Sequence, residues 1–265
     1  MANEISIWNK MLSTVLQMPG VKVNRDKYLA TTLANYNFSK EDIQKAIKTC
    51  PQMVVDKKML IQMSNPIIGS HLKKVSAISF VSGIPGGVAL TATIPADMAQ
   101  YYFHALVLSQ KLAYLYGMPA LYDEKGELTD EAVNLMTVFI GVMSGVGIAN
   151  QTMKKMSQAF AEQIVKRLPQ YPLTKYVIYQ VVKQIAKWIG VRLTKDTFAK
   201  GVSKVVPFVG GVVSGSVTYC TFKKEAKRIK KQLQENMDLY RAAYEKIEKQ
   251  IDDESVEYAD FEESQ

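Results

Sequence analysis

Asp97 and His104 are the two residues of this chain whose types and spacing could do chemistry. They stand seven positions apart, so on one helix they share a face two turns apart, with Tyr101 one turn from Asp97. A carboxylate and an imidazole in such a row could move a proton if a cleft admitted a substrate. No nucleophile elbow, HExxH or second carboxylate joins them. A helix-capping aspartate and a core histidine would leave the same pattern. Asn134, Asn150 and Glu131 are the other polar side chains set among apolar neighbours. Asp97 and His104 thus define an alternative polar site only, and no residue qualifies as catalytic.

Metal and cofactor chemistry finds no pattern either. Cys50 and Cys220 lack the paired spacing of a zinc site, a CxxC or a disulfide framework, and they read as small buried thiols of a reducing compartment. Two histidines, His71 and His104, are too few for a histidine-rich metal site. Pro85-Gly86-Gly87 is followed by no Gly-Lys-Ser/Thr and lies in no strand–helix GxGxxG context, which argues against a phosphate cradle. The expectation is a protein without metal or cofactor.

The elements that must position these residues read as helices. Two short helices fit residues 1–40, the second beginning near Asn24-Arg25-Asp26 and ending around Tyr36-Asn37-Phe38, with Pro19-Gly20 between them. Ser39 with Asp42 three residues on predicts the cap of a third. A further helix over about 51–64 is expected to start at Pro51 and stop near Asn65-Pro66. Residues 1–69 form an N-terminal helical cap in this reading. Pro95 and Asp97 predict the start of another helix, which continues to Tyr116-Gly117, where glycine suits the end and Pro119 stops the chain.

Three stretches carry no charge: 75–96, 132–153 and 205–222. Their length approaches a bilayer span, but they reach it only by including Thr, Ser, Asn, Gln, Gly and Pro. Central helices of a bundle would show the same pattern, and that reading is preferred. Each run holds glycines four apart: Gly83 and Gly87, Gly141 and Gly145, Gly211 and Gly215. Small residues one turn apart let another backbone come close. With Pro85, Gly86, Pro207 and Gly210 they form the expected hinge and packing set. A weak echo at a constant offset aligns Phe80-Val81-Ser82-Gly83 with Phe208-Val209-Gly210-Gly211 and suggests paired hairpins. The fold class is all-α, a helical bundle with glycine- and proline-hinged central hairpins.

Charge is distributed unevenly. The 265-residue chain has 33 basic and 25 acidic residues, formally +8, yet seven acids and no base fall in 251–265, leaving +15 on residues 1–250. Residues 154–204 alone carry eleven bases and two acids. Within them Thr174–Gly190 sets Val177, Ile178, Val181, Val182, Ile185, Trp188 and Ile189 at helical spacing, with lysines among the polar positions. Such a helix suits an anionic lipid surface, and it equally suits a place in a bundle. Lys223, Lys224, Lys227 and Arg228 open a second basic cluster directly after the third uncharged run, the position of a positively charged membrane flank. Lys175, Lys183, Lys187, Trp188, Arg192, Lys223, Lys224, Lys227 and Arg228 are the candidate lipid or partner surface. Nucleic acid competes for the same charges, but no recognition-helix, zinc or RNA-binding strand motif supports it. Residues 251–265 read as a disordered acidic tail.

Ile84-Pro85-Gly86-Gly87, Ile94-Pro95-Ala96-Asp97, Leu115-Tyr116-Gly117-Met118-Pro119 and the stretch Val206-Pro207-Phe208-Val209-Gly210-Gly211-Val212-Val213-Ser214-Gly215 follow one another in an order that resembles the EcsC family of bacterial proteins. The same order is similar to DUF697-type helical domains found with some bacterial GTPases. The resemblance covers roughly 70–235, leaving 236–250 as the end of a charged helix. It implies a helical, membrane-associated accessory or regulatory protein, some relatives being encoded with an ABC transporter. Where many relatives have an asparagine after the last glycine-rich segment, this chain has Thr218-Tyr219-Cys220.

Composition closes the frame. With 48% hydrophobic and 22% charged residues, the chain is neither a disordered polymer nor a multi-span membrane protein, and its length buries a core without disulfides. Met1-Ala-Asn-Glu-Ile-Ser lacks a secretory pattern, so a cytoplasmic protein, peripheral or partly inserted at the membrane, is expected. Its expected partners are an anionic membrane surface and a membrane protein such as a transporter.

Overall fold

A computed structural model describes residues 2–82, 96–122, 130–166, 175–202 and 207–263. Among them the chain is an all-α bundle of nine α-helices with no strand. They are α1 (Ala2–Leu16), α2 (Arg25–Ala34), α3 (Lys40–Lys48), α4 (Lys57–Ser82), α5 (Ala96–Leu115), α6 (Asp130–Ser144), α7 (Gly147–Val165), α8 (Lys175–Val202) and α9 (Pro207–Glu263), with a 3-10 turn at Pro51–Met53. The 57 residues of α9 make it the spine. α4, α5, α6 and α7 pack along it, while α1 lies on α8 and α5, and α6 fills the space between α8 and α9. Trp8, Tyr114, Phe139, Phe222 and Tyr240 are fully buried in the seams. Each such side chain contributes about 1.5–3 kcal/mol of burial, so packing rather than helix propensity holds the elements.

The local signals of the N-terminal third are realised atom by atom. Asn24 accepts from the Lys27 amide at 2.8 Å and starts α2. Asn37, in the left-handed region at φ 60°, closes the turn after it. Ser39 accepts from the Asp42 amide at 3.0 Å and starts α3. Gly117 takes φ +93° at the end of α5, where the Met118 amide reaches back to the Ala113 carbonyl at 2.9 Å.

Five expectations need correction. First, Pro66 does not end a helix: α4 runs through it. Proline removes the donor that would serve the Gln62 carbonyl and crowds the preceding turn. α9 braces the turn beside it. The Ile61 carbonyl accepts from Ser64 Oγ at 2.6 Å and Lys230 Nζ at 3.2 Å, and Lys230 also reaches Asn65 Oδ1 at 2.7 Å. Second, the uncharged run 132–153 is two helices, because Gly145 at φ +82° terminates α6 and α7 begins two residues later.

Third, Gly210, Gly211 and Gly215 lie inside α9 rather than in a hairpin turn, and Pro207 occupies its first position, where a missing N–H costs nothing. Fourth, the acidic stretch 251–263 continues α9, which contains no glycine or proline after Gly215. Fifth, Cys220 is exposed, unlike the buried Cys50. Gly83, Pro85, Gly86, Gly87 and the echo built on them lie outside the described residues. Among the described residues no helix is long and apolar enough to cross a membrane.

Candidate functional site

The basic cluster of α9 sorts by helical angle. Ser216, Val217, Tyr219, Cys220, Lys223, Lys224, Lys227 and Lys231 are all exposed, and at 100° per residue they share one side. Gly215, Phe222, Glu225, Ala226 and Ile229 are buried on the opposite side. One exposed stripe therefore begins with apolar residues, Val217 at 59% and Tyr219 at 40% exposure, and continues as four lysines. Lys223 Nζ lies 5.4 Å from the Tyr219 ring centroid, one turn away. The ion pair Lys57 Nζ–Asp238 Oδ2 at 2.9 Å and the Lys230–Asn65 bond set α4 antiparallel to α9. That register brings the exposed Lys73 and Lys74 level with the Tyr219–Lys223 turn.

Not every predicted cation stays on the surface. Arg228 Nη1 donates to the Met143 carbonyl at 3.0 Å, and its guanidinium lies against Gly145, where a Cβ would stand 2.9 Å from its Cζ. It thus closes the C-terminal end of α6, neutralising carbonyls that the helix leaves unpaired. Gly141, one turn earlier, admits Ile185 of α8 to 2.6 Å from where its Cβ would be. A predicted surface arginine and two predicted packing glycines meet in one joint.

Arg192 is likewise drawn inward. Its Nη1 stands 2.9 Å from Glu225 Oε1, whose side chain is 5% exposed, and Tyr101 Oη donates to Glu225 Oε2 at 2.5 Å. Burial pushes the Tyr101 hydroxyl far above its usual range, and the Glu225 carboxylate adds to that. For Arg192 burial pulls down, but the attraction of Glu225 prevails and holds the guanidinium above its ordinary value. Three helices, α5, α8 and α9, are tied by one buried carboxylate. The sequence reading missed Glu225, although it is the lone acid between Asp196 and Glu235.

On α8, Lys187 is exposed beside Trp188, itself 44% exposed, while Lys183 is half-buried on a cleft wall. Lys175 opens the helix. Gly190, also unforeseen, is where α1 rests: a Cβ there would overlap the Glu4 carbonyl.

His104 finds a partner other than Asp97. Its ring stacks edge-on with His71 of α4 at 5.4 Å between centroids, and both are buried with Nδ1 atoms lacking a hydrogen-bond partner. Burial lowers His71 to about 3 and His104 to about 4, with the nearby Lys74 and Lys111 adding to the effect. Lys111 is itself lowered by burial and by Lys74. Both imidazoles are therefore neutral near pH 7. Asp97 is half-buried at the start of α5. Asn134 lines the same cleft as Lys183, and Asn150 is exposed. Among the described residues no group of three or more His, Cys, Asp or Glu side chains could hold a metal.

No family model, curated protein or solved structure matches this chain.

Proposed function

We propose that the chain is a membrane-associated accessory or regulatory protein without catalytic activity, which docks on an anionic lipid surface at the cytoplasmic face. The observation that carries this reading is the exposed stripe of α9, with Val217 and Tyr219 followed by Lys223, Lys224, Lys227 and Lys231. An apolar tip beside lysines suits the boundary between acyl chains and anionic headgroups, where each lysine contributes about 1 kcal/mol. Trp188 and Lys187 on α8 supply a second pair of the same kind. The resemblance of the 84–87, 94–97, 115–119 and 206–215 motifs to the EcsC family supports an accessory role beside a membrane protein such as a transporter.

Flotation with vesicles of graded anionic lipid content tests this function. The protein should rise with the vesicles as anionic content increases and be released by salt. The variant Lys223→Glu/Lys224→Glu/Lys227→Glu should lower partitioning about 100-fold or more, since three attractions of about 1 kcal/mol are lost. Failure of the unmodified protein to float with fully anionic vesicles at low salt would sink the proposal. Salt-dependent gel shifts with duplex and single-stranded nucleic acid, tighter than vesicle binding, would reassign the lysines.

A further inference from the structure

The outward face of α9 carries a charge pattern centred on the exposed Ala242. Steps of 4, 7, 11, 15 and 18 residues from that position stay on one stripe of an α-helix. Forward, these steps meet Lys246, Lys249, Asp253, Glu257 and Asp260. Backward, they meet Asp238, Glu235, Lys231, Lys227 and Lys224. At every step the two residues have opposite charge. Those from Lys224 to Lys249 are all exposed, while Ile229, Leu233 and Tyr240 are buried on the other side of the helix. The stripe runs about 54 Å at the rise of an α-helix.

A helix whose charges reverse sign about one point is complementary to itself turned end for end. We propose that this face of α9 pairs with α9 of a second copy of this chain, the helices antiparallel and the two-fold axis at Ala242. Each of the five oppositely charged pairs is then made twice, as an isologous contact requires. The register is specific. Sliding the partner one turn in one direction sets Lys231 opposite Lys249, and one turn in the other sets Glu235 opposite Asp253. Within one chain the pattern cannot close, because the helix holds positions 227 and 257 about 45 Å apart.

Two of these charges pair within the chain on its surface: Asp238 with Lys57 at 2.9 Å and Lys231 with Glu235 at 3.8 Å. Exposed pairs of this kind exchange at little cost. The contacts between copies are individually weak for the same reason, so association rests on their number and falls with salt. This pairing does not depend on lipid docking. It occupies Lys224 and Lys227, so a membrane and a second copy compete for them.

Sedimentation equilibrium of the full chain tests the pairing without vesicles. A monomer–dimer equilibrium is expected at low salt, its Kd raised about tenfold or more by about 0.5 M sodium chloride. Lys224→Glu/Lys227→Glu/Lys231→Glu and Asp253→Lys/Glu257→Lys/Asp260→Lys should each be monomeric alone. An equimolar mixture of the two should dimerise, because each supplies the charge that the other has lost. In a Cys220→Ser background, Ala242→Cys should give a disulfide between copies on oxidation with diamide. Gln250→Cys, also exposed, should not, since its two copies would stand about 24 Å apart along the paired helices. A chain still monomeric at about 0.1 mM in low salt, a dimer indifferent to salt, or a mixture of folded variants that stays monomeric would each overturn the proposal. Cross-linking through Gln250→Cys as readily as through Ala242→Cys would do so too. The salt series and the cysteine pair need no charge reversal, so they decide the matter even where a reversed chain fails to fold.

Discussion

Arg192 of α8 holds the Glu225 carboxylate of α9 at 2.9 Å inside the bundle, and the carboxylate's other oxygen accepts the hydroxyl of Tyr101 from α5. A buried ion pair is costly to assemble, and costlier to break from one side, because the survivor stays uncompensated. Arg192→Ala is expected to destabilise the fold by about 3 kcal/mol. Arg192→Met with Glu225→Gln should recover much of that loss, since neither leaves a buried charge. Urea unfolding of the two single variants and the double one measures the coupling. A single-variant loss under about 0.5 kcal/mol would place the pair in water rather than in the core.

Gly145 and Gly147, two positions apart, should respond in opposite directions. At Gly145 alanine meets a positive φ and the Arg228 guanidinium together, so Gly145→Ala should cost about 1–2 kcal/mol or more. Gly147 opens α7 with nothing within 4 Å of an added Cβ, and Gly147→Ala should be neutral or stabilising by up to about 1 kcal/mol. Thermal unfolding of the two variants side by side shows the sign of each.

Gly190→Ala should act at a distance along the chain. A methyl group there collides with the backbone carbonyl of Glu4, and backbone cannot step aside as a side chain can. The expected result is loss of α1 from α8, read as faster amide exchange over residues 2–16 with α4 and α9 protected as before. Unchanged exchange in α1 would show that the two helices do not pack this closely.

Acid should weaken the fold through the His71–His104 pair. The folded chain keeps these rings neutral down to about 3 and 4, whereas in the unfolded chain they take up protons near the ordinary 6.5. Between those limits the unfolded state binds more protons, so stability is lost as pH falls from about 6.5 toward 4. The slope is at most about 1.4 kcal/mol per pH unit for each ring. Urea midpoints at pH 7, 6 and 5 should fall more steeply for the natural protein than for His71→Gln/His104→Gln. Parallel curves would mean that the rings are hydrated in the folded state.

The helix starts at Asn24 and Ser39 and the stop at Gly117 were legible because each is closed by a hydrogen bond within a few residues. Of the uncharged runs, 132–153 was legible as burial over Leu135–Ser144, since charge is costly inside a helical core whichever neighbour covers it, whereas Ser216, Val217, Tyr219 and Cys220 of the third run are exposed. Pro66 misled for the opposite reason: the turn beside it is anchored by Lys230, 169 positions away from Ile61. Gly145 was read as one of a packing pair within a helix. Its sequence neighbours permit that, and the cap made by Arg228 is a contact between distant segments.

Periodicity and composition are properties of short stretches, and they sufficed to establish an all-helical chain with a strongly basic body. Which bases remain available to a partner is a different kind of question. Lys223, Lys224 and Lys227 face outward, whereas Arg192 and Arg228 are consumed by Glu225 and Met143, and nothing in the spacing of these residues separates the two groups. A cation's role depends on which acceptor lies within about 3 Å, and for these two that acceptor arrives on another helix only when the bundle closes.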